Sequence, residues 1–211
     1  MYLPDMFAVS DAHEVDAVLQ EARLGCLVTR DSSGFFGTHL PMLFDPKRRL
    51  LMGHISRANQ HPDRSGDGEA LVILQGPDGY VSPSWYPSKQ EHGKVVPTWN
   101  YEVAHVTGTL NWRDDPEWLR ELLAKLTARF ESGRPDPWAM SDAPEDYLAR
   151  QIAGVIGLEL AVHEVRVKRK LSQNRSPEDR EGVIAGLSDS SLSADQRLAA
   201  AMVENSGDRR R

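Results

Sequence analysis

An α+β fold, a closed or partly closed antiparallel β-barrel with packed helices, is what this sequence predicts, and three observations predict it. Six short apolar runs broken by turn formers fill residues 25–112, with little helix between them. The pattern changes near residue 113 to helical periodicity. A long run at 155–170 then returns to strand alternation.

The elements follow in order. Residues 11–23 form a first helix: Asp11 caps it, Glu14 completes a capping box, and Val15, Val18, Leu19 and Ala22 share one face. Strands are expected at 25–29, 35–44, 50–55, 70–75, 80–85 and 98–112. Turns are expected at residues 31–34, 45–47 and at Gly76-Pro-Asp-Gly79. Asp115 caps a helix with Pro116 at its first position, and Trp118, Leu119, Leu122, Leu123, Leu126 and Phe130 form its apolar stripe. A shorter helix covers 144–153. Along 155–170, Leu158, Leu160 and Val162 alternate with Glu159 and Ala161. Ser176 and Ser193 open two further capping boxes, and residues 205–211 read as a polar tail.

Composition narrows the function. The 211 residues carry 25 Lys plus Arg against 31 Asp plus Glu, a formal net charge of -6. That balance argues against direct nucleic-acid binding through bulk positive charge. One cysteine, Cys26, precludes an internal disulfide framework and reads as a packed strand residue. No run approaches the ~18 apolar residues of a membrane helix and no secretory signal is visible, so a cytoplasmic protein without a membrane partner is expected. Glycine-rich phosphate loops, Cys-x-x-Cys, His-Glu-x-x-His and Gly-x-Ser-x-Gly are absent. His13 and His163 read as surface residues.

Three segments carry chemistry. The first joins Thr38-His39-Leu-Pro41-Met-Leu to Gly53-His54-Ile-Ser56-Arg57-Ala-Asn59-Gln60-His61, setting polar groups along two apolar strands of one hairpin. These are either satisfied strand ends or binding residues. The second runs through Ser82, Ser84, Trp85, Tyr86 and Lys89 to Lys94, Thr98, Trp99 and Asn100. Aromatic faces beside cations and hydroxyls suit a planar anionic ligand, and Pro83, Pro87 and Pro97 argue against a plain interior strand. The third, Lys168 to Arg175, is either a solvated basic face or a partner for phosphate or carboxylate.

These segments resemble the PaiB family of FMN-binding split-barrel proteins, known as negative transcriptional regulators. The resemblance rests on Gly53-His54-Ile-Ser-Arg57-Ala-Asn59, Gln75-Gly-Pro, Tyr80-Val-Ser-Pro-Ser-Trp-Tyr86 and Gly93-Lys-Val-Val-Pro-Thr-Trp-Asn-Tyr101. Asp142-Ala-Pro-Glu-Asp-Tyr147 and Lys170-Leu-Ser-Gln-Asn-Arg-Ser176 extend it over nearly the whole chain. It implies a six-stranded antiparallel split β-barrel and a homodimer with cofactor sites at the subunit interface. One domain is expected over residues 1–204, with helical additions at 113–153 and 176–204.

The family also contains heme-dependent piperazate synthases, which close L-N5-hydroxyornithine into L-piperazic acid by forming an N–N bond. Where many relatives continue Asn-Pro-x-Trp, this chain reads Asn59-Gln60-His61-Pro62, and a neutral imidazole is the usual proximal ligand of heme iron. On that reading the cofactor is heme b, the substrate a small amino acid, and His61, or else His54, holds the iron. Arg57, Lys89 and Lys94 are then the catalytic residues, meeting propionates or the substrate carboxylate. His39, His54, Asn59, Ser82, Ser84, Trp85, Tyr86, Thr98, Trp99, Asn100 and Arg175 bind the cofactor. The alternatives are an FMN-binding regulator and a flavin-dependent oxidoreductase on the same barrel.

Overall fold

Apolar alternation builds seven strands among the described residues: β1 (Ala8–Val9), β2 (Leu24–Asp31), β3 (Gly34–Asp45), β4 (Leu50–Ser56), β5 (Gly68–Val81), β6 (Thr98–Arg113) and β7 (Val155–Lys170). They come from a computed structural model that describes residues 1–21, 24–32, 34–59 and 68–207. The sheet order is β1-β7-β4-β3-β2-β5-β6, and an additional β7–β6 pairing returns the order to β7. Six strands thus follow one another in a cycle, as a barrel requires. β2 runs antiparallel to β3 and β5, and β4 antiparallel to β3 and β7. The helices are α1 (Ala12–Glu21), α2 (Ser88–His92), α3 (Pro116–Glu131), α4 (Glu145–Ala153), α5 (Pro177–Ser188) and α6 (Ser193–Gly207). The α+β class and the antiparallel pairing agree with expectation.

Four local readings need correction. Gly76-Pro-Asp-Gly79 is no turn but part of the continuous β5. Its turn-forming residues do other work: Asp78 accepts from the Gln75 amide and the Trp99 indole, and Gly79 leaves room for Leu198. Residues 83–85 form a 3-10 turn rather than strand, with Pro83 at its start. Asp11 caps α1 as expected, accepting from His13 N and Glu14 N, but the Glu14 carboxylate pairs with Arg169 instead of closing a box. Residues 205–207 belong to α6, not to a tail.

The chain divides into two compact units. Unit one is Met1–Val15, Gln75–Ala104 and Arg166–Arg211; unit two is Asp16–Leu74 and His105–Val165. In unit two, Leu40, Met42, Leu51 and Ile55 of β3 and β4 are buried, as are Leu158 and Leu160 of β7. α3 lays Leu122 and Leu126 on Met52, with Trp118 and Phe130 beside them. Each such side chain contributes about 1.5–3 kcal/mol when fully buried. Glu159 is 3% exposed in this layer; its carboxylate accepts from Arg113 Nε at 2.7 Å and from Trp118 Nε1 at 3.2 Å. A carboxylate survives there because it is paired. In unit one, Val183 and Leu187 of α5 and Leu198 and Met202 of α6 close over Val81, Tyr86 and Leu171.

At Gly108 β6 comes so near β7 that a Cβ would lie 2.0 Å from the carbonyl oxygen of Ala161. Backbone cannot swing aside as a side-chain tip can. Gly108→Ala is therefore expected to cost about 2–4 kcal/mol, read as a lower urea midpoint. An unchanged midpoint would refute the close crossing.

Candidate functional site

A cavity of about 530 Å³ opens in unit two, within the size range of ligand pockets. Strand register builds one side: Thr38 and His39 come from β3, and His54 and Ser56 from β4. Asn59 follows β4, while Arg150 and Gln151 project from the last turn of α4. Arg150 is the only fixed charge among these lining residues. It pairs with Asp146 one turn earlier at 2.8 Å, on an open surface where such pairs are weak.

His54 is the unusual member. Its Nδ1 is buried and has no hydrogen-bond partner. Burial lowers its pKa below the ordinary 6.5, so the imidazole is uncharged at neutral pH. A neutral ring with an unanswered nitrogen can donate to an oxygen, accept from an N–H, or ligate a metal, depending on tautomer.

Arg57, expected to be catalytic, fastens the chain beside this cavity. Its Nε donates to Ala153 O at 3.0 Å, Nη2 to Val155 O at 3.0 Å, and Nη1 to Asp114 Oδ2 at 2.8 Å. Its main-chain N–H donates to Gly154 O at 2.8 Å. The hydrogen bonds raise the Arg57 pKa and hold the Asp114 carboxyl below its usual range. His61, the first candidate for iron, lies outside the described residues, and so does Gln60.

The remaining expected site residues fall in unit one, where most have structural partners. Ser82 Oγ caps the 3-10 turn by accepting from Ser84 N at 3.2 Å, and Ser84 Oγ accepts from Lys89 Nζ at 3.3 Å. The Trp85 ring lies on α5 where that helix is bare: a Cβ at Gly186 would stand 2.5 Å from it. Tyr86 is 2% exposed, with the Arg175 guanidinium 4.9 Å above its ring, and burial raises its phenol pKa. Thr98 Oγ1 accepts from Lys170 Nζ at 2.6 Å, while Trp99 Nε1 donates to Asp78 at 3.2 Å. Asn100 is fully buried and donates to Ser172 Oγ at 2.9 Å. Lys89 and Lys94 are exposed.

Sequence reasoning reached Thr38 as the start of the first polar segment but missed Arg150 and Gln151. A polar residue late in an amphipathic helix reads as a solvated face, and nothing in the sequence marks α4 as leaning over β3 and β4.

Comparison with known proteins agrees with this architecture. Residues 1–164 match the family model described as "Putative FMN-binding domain". Protease synthase and sporulation protein PAI 2 of Bacillus subtilis is 32% identical over 190 residues, 89% of each chain. Among solved structures, the flavocytochrome Anf3 from Azotobacter vinelandii superposes with a TM-score of 0.58 at 16% identity, covering 83% of this chain and 75% of its own. The FAD and heme binding protein from Mycobacterium smegmatis gives 0.58 at 18% identity, covering 85% and 80%. At those identities the two structures show the fold.

Because His54 is neutral when folded, the unfolded chain takes up its proton more readily. Its contribution to stability is complete above about pH 6.5 and is lost as pH falls below that value. The melting temperature should drop between about pH 7 and pH 5, by less in His54→Gln. Equal drops in both proteins would show that His54 is not the titrating group.

Proposed function

The chain belongs to the PaiB family of FMN-binding split-barrel proteins, and from that membership we propose that its unit-two cavity takes FMN, with the flavin ring at His54 and the phosphate at Arg150. The carrying observation is the unpartnered, buried Nδ1 of His54 on a cavity whose lining holds one fixed positive charge. FMN is a flat ring with a donor-and-acceptor edge and one phosphate, which matches that distribution. Bound FMN supplies one- and two-electron redox chemistry. The chain's own part is to hold it. The neutral imidazole meets the ring edge, the Thr38 hydroxyl and Asn59 amide complete the polar side, and Arg150 leaves its weak pair with Asp146 for the phosphate. A homodimer belongs to the same reading, as does a cytoplasmic location; among the described residues no helix is long and apolar enough to cross a membrane.

A second reading is favoured by the same nitrogen. An uncharged imidazole without a partner is the form that ligates heme iron, so His54 could hold heme b in a piperazate synthase-like enzyme. There the α-amine of L-N5-hydroxyornithine would displace the N-hydroxyl oxygen, forming the N–N bond with net loss of water and no outside reductant.

Apoprotein titrated with FMN, riboflavin and hemin separates these readings. FMN should bind tighter than riboflavin by about 10- to 100-fold, the worth of one charge-assisted phosphate contact. Arg150→Gln should bring FMN down to the riboflavin level, and His54→Ala should weaken both flavins. A sharp heme absorption band with no flavin affinity would replace the first reading by the second, and turnover of hydroxyornithine would then test the chemistry. Protein that binds none of the three sinks both.

A further inference from the structure

β7 leaves unit two's cavity behind and carries, in unit one, a run of cations that its two faces treat differently. Arg169 points to one face and is answered twice, by Glu102 and by Glu14. Lys168 and Lys170 share the other face by strand alternation, and among the described residues no ion pair joins either to a carboxylate. Lys168 is 7% exposed, donates to Tyr2 O at 3.0 Å and sits between the rings of Tyr2 and Tyr101 at 5.5 and 5.4 Å. Lys170 donates to the Thr98 hydroxyl and to Trp99 O.

The chain then turns back at Ser172, a buried residue with a positive φ of 63°, an uncommon conformation for a side chain other than glycine. Arg175 N donates to Ser172 O at 3.0 Å, and the turn returns the Arg175 guanidinium to the ring of Tyr86. Among the described residues Arg175 also has no ion pair. The buried carboxylate that follows on α5, Asp179, is committed to Ser88, whose N–H and hydroxyl donate to it at 3.1 and 2.8 Å, and Glu178 before it is exposed. Burial, Lys168 and Arg175 all lower the pKa of Lys170, so the cations oppose one another. Two cations on neighbouring segments, beside the Thr98 hydroxyl that Lys170 already engages and the half-exposed Trp99 indole, describe a site completed by an anion.

We propose that Lys170, Arg175 and the Thr98 hydroxyl form a binding site for the phosphate group of a small molecule, separate from the cavity at His54. Lys168 adds field without contact, since its ammonium is covered. Phosphate, with more acceptor oxygens than a carboxylate, suits a set whose donors come from three separate segments: strand β6, strand β7 and the loop before α5. The assignment does not depend on flavin binding.

The test uses full-length apoprotein melted in inorganic phosphate, acetate or chloride at matched ionic strength. Phosphate should raise the wild-type melting temperature saturably, beyond acetate and chloride. Lys170→Gln and Arg175→Gln should each weaken phosphate binding at least ~10-fold. Lys125→Gln, at an exposed lysine of α3 that lies in neither proposed site, should respond like wild type. Without phosphate, Lys170→Gln should melt at or above wild type, because the substitution relieves repulsion; a purely structural lysine would lower it. Lys170→Arg preserves the charge and should keep the phosphate response if Lys170→Gln fails to fold. Equal shifts in all three anions would overturn the proposal. So would binding of a short oligonucleotide through Lys170 and Arg175 without any response to inorganic phosphate.

Discussion

The guanidinium of Arg57 ties together stretches of chain that are far apart in sequence: the end of β4, the α4–β7 junction at Ala153 and Val155, and Asp114 ahead of α3. The last carbonyls of a helix have no partner within it, and a positive charge at that end is favourable. Arg57 supplies both, since Ala153 O lies in the last turn of α4. Asp114 orients the guanidinium and balances its charge. The consequence reaches the cavity directly, because Asn59 follows Arg57 by two residues while Arg150 and Gln151 sit in the helix that Arg57 terminates. Thr38, His39 and His54 need only the β3–β4 register. The other wall depends on this one clamp.

That dependence explains the character of the pocket. Its strand side is preformed by ladder hydrogen bonds and a packed layer below it, so His54 can be buried without its nitrogen being answered. Such a group costs free energy unless something meets it, and native structures rarely tolerate that without a reason. Its helix side ends in an arginine held by a pair too weak to compete with a phosphate. A rigid, neutral hydrogen-bonding wall facing a movable charge is a geometry for gripping a flat ligand at one end and an anion at the other.

Much of the architecture was legible because it rests on periodicity. Alternation located β3, β4, β6 and β7, and Asp115-Pro116 and Ser176 marked α3 and α5 by side-chain oxygens that accept from first-turn N–H groups, although the expected box at Ser176 stays open because Asp179 turns to Ser88. Reading failed where one residue type serves two physical ends. Gly76, Pro77 and Gly79 signal a turn locally, yet the glycines answer a tertiary need for close approach, which no local rule contains. The aromatic loop shows the same double use. Trp85 and Tyr86 suggested walls for a cofactor, whereas Trp85 fills bare helix surface at Gly186 and Tyr86 joins the core of unit one. Arg57 stood out as an isolated cation in a polar motif, and only the fold shows the carbonyls waiting for it.

Net charge looks different once pairing is counted. An average of -6 suggests a chain with little appetite for anions. Arg49, Arg57, Arg113, Arg120 and Arg169, however, are each matched to a carboxylate, so they add almost nothing to the field beyond their own neighbourhood. What an incoming anion meets is the unmatched remainder. On β7 the contrast is sharpest, since the adjacent cations Arg169 and Lys170 occupy opposite faces, and among the described residues one face received two glutamates while the other received none. Strand alternation, by sorting identical charges into answered and unanswered sets, can build an anion site inside an acidic protein.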